Sequence, residues 1–203
     1  VILGNGALTV GLNEQGLVHD FYYPYVGLEN LTTARSLQHM IGVWVDGKFS
    51  WINDGSWAIQ ANFEATALIS TISMRSESLQ LELQFVDFVA SDKDTFNRRI
   101  SVKNHKDSTR EIRIFMHQVF QISHAGRADT ALYEPDEKYI LDYKGSVSLV
   151  IGGRTEDDMA FDQFAVGNYG VEGKQGTYKD AEDGVLSGSA IEHAGVDSVM
   201  GFT

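Results

Sequence analysis

Period-two alternation dominates the readable stretches of the chain, and no long segment sustains a 3.6-residue period. In SLQLELQF (78–85), Leu79, Leu81, Leu83 and Phe85 share one face, and Gln80, Glu82 and Gln84 share the other. That is the pattern of a half-buried strand. RISV (99–102) places Ile100 and Val102 together, and REIRIFMH (110–117) sets Ile112, Ile114 and Met116 against Arg113 and His117. The polar NHKDS (104–108) turns between them. VWVDGKFSW (43–51) predicts a hairpin, because both central positions of a two-residue turn need positive φ and Asp46-Gly47 supplies them. A second hairpin is predicted from KYILDY (138–143) and SVSLVI (146–151), and a third over 8–23 with Asn13 to Gly16 turning. EATALISTISM (64–74) alternates through Leu68, Ser70, Ile72 and Met74 and reads as one strand; TTARSLQHM (32–40) reads as a short helix. The sum predicts an all-β domain of twelve or more strands: one large antiparallel two-sheet sandwich over residues 1–203, with few short helices.

Composition supports that picture and removes several functions. Among 203 residues there are 20 glycines and only 2 prolines, which suits many strands joined by turns. The net charge of −12, from 16 basic and 28 acidic residues, repels phosphate backbones, and the longest basic grouping is Arg98-Arg99. A nucleic-acid partner is therefore not expected. With no cysteine, zinc-thiolate sites, disulfides and thiol catalysis are excluded. No apolar run approaches the ~18 residues of a membrane-spanning helix, so no membrane association is expected. The chain opens on VILGNGALTVG without an initiator Met and reads as a piece of a larger protein; its compartment is left open.

The conspicuous chemistry lies in a few stretches. GTYKDAEDG (176–184) packs Asp180, Glu182 and Asp183 between two glycines. A pair of carboxylates about 5 to 9.5 Å apart is what a glycosidase needs, so catalysis there is not forbidden. Calcium would need six or more converging oxygens, and DAEDGVLSGSAI lacks the EF-hand pattern. A structured acidic loop, a weak calcium site, a sugar contact and a catalytic pair all remain open from the residues alone. Asp157-Asp158 with Asp162 is a second acidic group, equally unspecific. The six histidines show no HExxH, and His117 reads as a residue of a polar strand face. No serine has the GxSxG context of a hydrolase nucleophile. DFYYPYVGLEN (20–30) gathers Tyr22, Tyr23 and Tyr25 around Pro24, and Trp51 and Trp57 flank Asn53-Asp54-Gly55. Such rings serve cores, interfaces and sugar sites alike. Asn30-Leu31-Thr32 matches the N-glycosylation triplet, a pattern that chance often produces.

The opening LGNGALTVGLNEQGLVHDFYYPYVGLEN, then VWVDGKFSW, FVDFVASDKDTFNRRISVKNH, GTYKDAEDGVLS and VDSVMGF occur in an order that resembles the N-terminal domain of bacterial and archaeal family 15 glycoside hydrolases, the glucoamylase and glucodextranase type. The resemblance runs over essentially the whole chain. It implies a large β-sandwich that precedes a catalytic (α/α)6 barrel, with both catalytic glutamates, acid and base of an inverting mechanism, on that barrel. No catalytic residue carries over to this chain, and the acidic loop falls in the sandwich. The implied role is a non-catalytic domain that supports and docks against the barrel of an enzyme acting on α-linked glucans or glucosides, with Tyr22, Tyr23 and Tyr25 as the preferred docking segment. A free-standing carbohydrate-binding module using Trp51, Trp57 and Tyr25 is the alternative, and a small hydrolase or isomerase centred on the acidic loop a further one.

Overall fold

The computed structural model describes residues 1–32, 39–64, 66–122 and 128–203. The strands, in chain order, are β1 (Ile2–Gly4), β2 (Thr9–Leu12), β3 (Val18–Tyr22), β4 (Ile41–Val45), β5 (Lys48–Trp51), β6 (Ala58–Glu64), β7 (Ile69–Ser76) and β8 (Leu81–Val89). They continue with β9 (Phe96–Asn104), β10 (Ile112–Gln118), β11 (Thr130–Glu134), β12 (Tyr139–Lys144), β13 (Val147–Ile151), β14 (Gln163–Asn168), β15 (Ile191–His193) and β16 (Val196–Phe202). A 3-10 helix, Thr177–Asp183, lies between β14 and β15. The strands form four antiparallel sheets, so the all-β expectation holds. The short helix predicted over 32–40 falls almost wholly on residues outside those described.

The chain divides into two compact units, Val1–Gln38 with Ile52–Arg110, and His39–Trp51 with Glu111–Thr203. Each layers two sheets. In the first unit, β1-β2-β3 and β6-β7-β8-β9 are both simple meanders. Leu3 and Val10 are fully buried, as are Ile72, Met74, Leu83 and Phe85 of the larger sheet. Gly16, at φ 75°, sits where a Cβ would strike the Ile72 side chain. Asn5 ties the layers by donating to the carbonyls of Ala90 (2.9 Å) and Lys93 (3.1 Å). Arg98 makes the strongest tie: it binds both oxygens of buried Asp87 at 2.8 and 2.7 Å and donates to the Gly16 carbonyl at 2.6 Å. Its guanidinium also lies 4.7 Å from the Phe85 ring centre. A buried pair survives when its remaining donors are used in this way.

In the second unit the five-stranded sheet β14-β16-β10-β4-β5 carries a core on each face. On one side Val166, Val196 and Met200 meet Ala131 and Ile140 of the sheet β13-β12-β11-β15. On the other, Phe115, Ala165 and Val199 meet Tyr178 and Ala181 of the 3-10 helix, with Trp44, Phe49 and Trp51 packed around them. Burial on both faces explains why β16, VDSVMGF, shows no hydrophobic alternation: six of its seven residues are buried.

The predicted hairpins are present. Val45 pairs with Lys48 across Asp46-Gly47, both at positive φ, and Lys144 pairs with Val147 across a turn at Gly145. Asn13 closes the turn between β2 and β3 through its side chain, which accepts from Gln15 and Leu17 amides at 2.9 Å. Two readings are corrected. Residues 64–74 are not one strand: β6 ends at Glu64, Leu68 turns at φ 50°, and β7 starts at Ile69. His117 is not a residue of a wet face, because the 3-10 helix covers that side of β10; it is 1% exposed and hydrogen-bonds Asp197 at 2.9 Å.

Candidate docking surface

The tyrosine-rich segment is a stiff base with an apolar tip. After β3 the chain leaves the sheet at Tyr22 and returns to pair with it at Asn30. Asn30 closes the base. Its carbonyl oxygen accepts from the amides of Phe21 (3.0 Å) and Thr32 (3.1 Å), and its amide donates to Asp20 at 2.7 Å. The Thr32 hydroxyl donates to the His19 carbonyl at 2.7 Å, and the Leu31 amide to the Phe21 carbonyl at 2.8 Å. These bonds consume the Asn30 side-chain amide, which a glycosylated residue would have to free.

The tip faces water. Tyr23 is 43% exposed, Tyr25 57%, Val26 62% and Leu28 46%, while Tyr22 at the strand end is half-buried. The Tyr23 hydroxyl stands beside Asp94, whose hydrogen bond and charge raise the phenol above its ordinary value. Gly27, at φ 104°, lets the chain reverse between the apolar residues. A hydrogen-bonded base thus holds a contiguous group of large apolar side chains outward.

The other aromatic candidates are placed differently. Trp57 is 6% exposed and is a core residue, so it offers no ring face to a sugar or a partner. Trp51 is half-buried, edge-on to Phe49 at 4.7 Å and to Tyr178 at 6.1 Å, against the core under the 3-10 helix. The two tryptophans belong to different compact units. Closeness in sequence hid this, because β5 ends at Trp51 and the first unit resumes at Ile52.

The acidic loop is the 3-10 helix itself. Gly176 and Gly184, both at positive φ, bound it, and Tyr178 and Ala181, three residues apart, point into the core. Its carboxylates are spent locally: Glu182 pairs with Lys179 at 2.8 Å, and Asp183 accepts the Val185 amide at 2.9 Å. Asp180 is half-buried. Arg113 anchors the C-terminal end, donating to the Gly184 carbonyl at 2.6 Å and lying 4.5 Å from the Trp44 ring centre. Among the described residues no three His, Asp or Glu side chains are grouped to hold a metal ion.

Two buried polar groups escaped the sequence reading. Asp197 accepts from His117 and from the Thr177 amide (2.7 Å), fixing the start of the 3-10 helix. Asp142 on β12 is buried near Asp129, and its pKa is pushed up to about 8, first by burial and then by the Asp129 charge. Lys144 supplies the nearby cation, 3.6 Å from Asp129, and donates to the Ile122 carbonyl at 2.9 Å. Partners so far apart in sequence leave no local signal.

These features define an all-β protein of layered antiparallel sheets with a stabilised acidic helix and an outward apolar loop. No protein-family model matches the chain. It is 28% identical over 186 residues to an uncharacterized glycosyl hydrolase of Methanocaldococcus jannaschii, covering 91% of this chain and 28% of that protein. In fold it is similar to a bacterial glucoamylase solved in complex with acarbose, with a TM-score of 0.76 at 10% identity. That likeness covers 98% of this chain and 28% of the glucoamylase chain. The chain thus spans 28% of the length of each relative, and the resemblance to glucoamylase-type hydrolases holds at the level of fold. No helix among the described residues is long and apolar enough to cross a membrane.

Proposed function

We propose that this chain is the non-catalytic N-terminal domain of a family 15, glucoamylase-like glycoside hydrolase, and that it supports and docks against a catalytic (α/α)6 barrel. The observation that carries the reading is the asymmetry of coverage: the fold likeness takes in 98% of this chain but 28% of the glucoamylase. The surface chemistry agrees. The acidic helix turns its apolar side inward and binds its own lysine, and the Tyr23 to Leu28 tip is held out by Asn30. The parent enzyme hydrolyses an α-linked glucan or glucoside and releases the sugar with inversion, and the sugar-cleaving residues lie on the barrel.

The test is a paired substitution. In the longer protein that carries the barrel, Tyr25→Ser with Leu28→Ser lowers the thermal midpoint of the catalytic part. In the 203-residue chain alone the same changes leave unfolding unmoved, since both side chains are exposed. Equal effects in both, or none in either, reject the docking role. Calorimetric titration of the isolated chain with glucose, maltose, isomaltose and a longer glucan, with and without calcium, gives no saturable heat on this account; saturable binding supports a carbohydrate-binding module instead.

A further inference from the structure

Among the described residues, strand β6 is an open edge. It closes one side of the sheet β6-β7-β8-β9 and pairs with β7 in unbroken register over seven residues, Ala58↔Arg75 to Glu64↔Ile69. Its row Ile59, Ala61 and Phe63 shares a face with buried Met74, Ile72 and Ser70, yet Phe63 is 43% exposed and Ala61 also faces water. Soluble proteins usually blunt such an edge with lysine, proline, a bulge or a cover. AIQANFE has none of these within the strand. The opposite edge, β9, carries Arg98, Arg99 and Lys103. The edge of β14 is covered, with Val166 and Gly188 amides bonded to the Ser189 and Phe164 carbonyls. Strand β13 is also uncharged, but it is shorter and its core-facing Val147, Leu149 and Ile151 are partly covered.

We propose that β6 pairs antiparallel with β6 of a second copy of this chain, about a two-fold axis through Ala61. The pattern is self-complementary in that register. Ile59 falls opposite Phe63, Gln60 opposite Asn62, and Ala61 opposite itself, so apolar meets apolar and amide meets amide. Charge decides in favour of this occupant. In a chain of net charge −12 the only charge on β6 is Glu64, which falls opposite Ala58 of the other copy and not opposite a carboxylate. Ala58 pairs in turn with Arg75, so Glu64 of one copy and Arg75 of the other lie on one face, two strands and about 10 Å apart. Those side chains meet over the small Ala58. Among the described residues Arg75 pairs with exposed Glu77 at 2.7 Å, and Glu82 lies opposite it on β8. Two paired strands bury less than the ~1,200 Å² of a standard interface, so the dimer is weak and concentration-dependent. This pairing is independent of the docking role of the tyrosine loop.

Sedimentation of the 203-residue chain over a wide concentration range shows a monomer–dimer equilibrium. Ala61→Lys sets two lysines against each other at the axis and weakens it at least about tenfold, without loss of fold because Ala61 is exposed. The chain has no cysteine, so Ala61→Cys offers a single thiol. Across the axis the two Cα atoms lie about 4.5 or 5.5 Å apart, within disulfide range. It forms the cross-linked dimer on mild oxidation, and Ser148→Cys on β13 does not. A strict monomer, a dimer indifferent to Ala61→Lys, a dimer abolished by Tyr25→Ser instead, or preferential cross-linking at Ser148→Cys overturns the proposal.

Discussion

Replacing Asp142 with asparagine changes how stability depends on pH. Asp142 is 4% exposed, pairs with Ala131 and Leu149 on the neighbouring strands, and has its pKa raised from an ordinary 3.8 to about 8. Its Oδ1 finds no hydrogen-bond partner among the described residues. Burial without that bond penalises the ionised form, and the Asp129 charge adds to the penalty. Because the folded pKa is the higher one, the native state holds the proton over a range where the unfolded chain has released it. The associated stability is fully present below about pH 3.8 and is lost as pH rises through about 8. Each pH unit in that window costs about 1.4 kcal/mol, and the whole span about 6 kcal/mol as an upper figure. Asp142→Asn keeps the shape and removes the titration. Urea unfolding followed by far-ultraviolet circular dichroism, from pH 5.5 to 8, compares the two proteins. The difference in stability should shift by about 3 kcal/mol in favour of the variant across that range. Other carboxylates titrate in both proteins and cancel in the difference. A difference that stays constant with pH would falsify the argument, because it would show Asp142 ionised throughout.

Arg98→Met leaves Asp87 buried without its cation and costs about 3–5 kcal/mol in urea unfolding, whereas Arg98→Met combined with Asp87→Leu costs less; equal losses would show that packing, not charge, sets the effect. Asn30→Ala removes the base of the tyrosine loop, costs about 1–3 kcal/mol, and exposes residues 23–29 to limited proteolysis, where unchanged cleavage would count against the bracket. Gly184→Ala places a Cβ 2.7 Å from the Trp44 indole nitrogen at a φ of 89°. It costs about 1–3 kcal/mol and shifts tryptophan emission; a silent variant would mean that the helix end is not held against Trp44.

The parts legible in the sequence are those ruled by local physics. Asp46-Gly47 predicted its hairpin because few residue pairs accept two positive φ angles in a row. Leu79, Leu81, Leu83 and Phe85 predicted a strand because one face is buried and the other wet. Strand β16 defied that logic, since a strand covered on both faces has no reason to alternate. Strand β6 does alternate, Ile59, Ala61 and Phe63 against Gln60, Asn62 and Glu64, but its apolar row is short and only partly covered. The acidic loop drew attention to its charges, while its structure depends on Tyr178 and Ala181, spaced for a 3-10 turn, and on the two flanking glycines. The tyrosine loop could be singled out because Pro24, Gly27 and Asn30 mark its turns. What holds it and the buried polar pairs, such as His117 with Asp197 80 residues away, is tertiary and leaves no spacing to read.

The proposed supporting role requires that this fold carry no sugar-cleaving centre of its own. The direct test is release of glucose from maltose, isomaltose and soluble starch by the purified 203-residue chain, followed to long times. The expected result is no release above buffer. Turnover that disappears on Asp180→Asn or Glu182→Gln, with the fold intact by circular dichroism, would contradict it and return the acidic helix to the position of an active site.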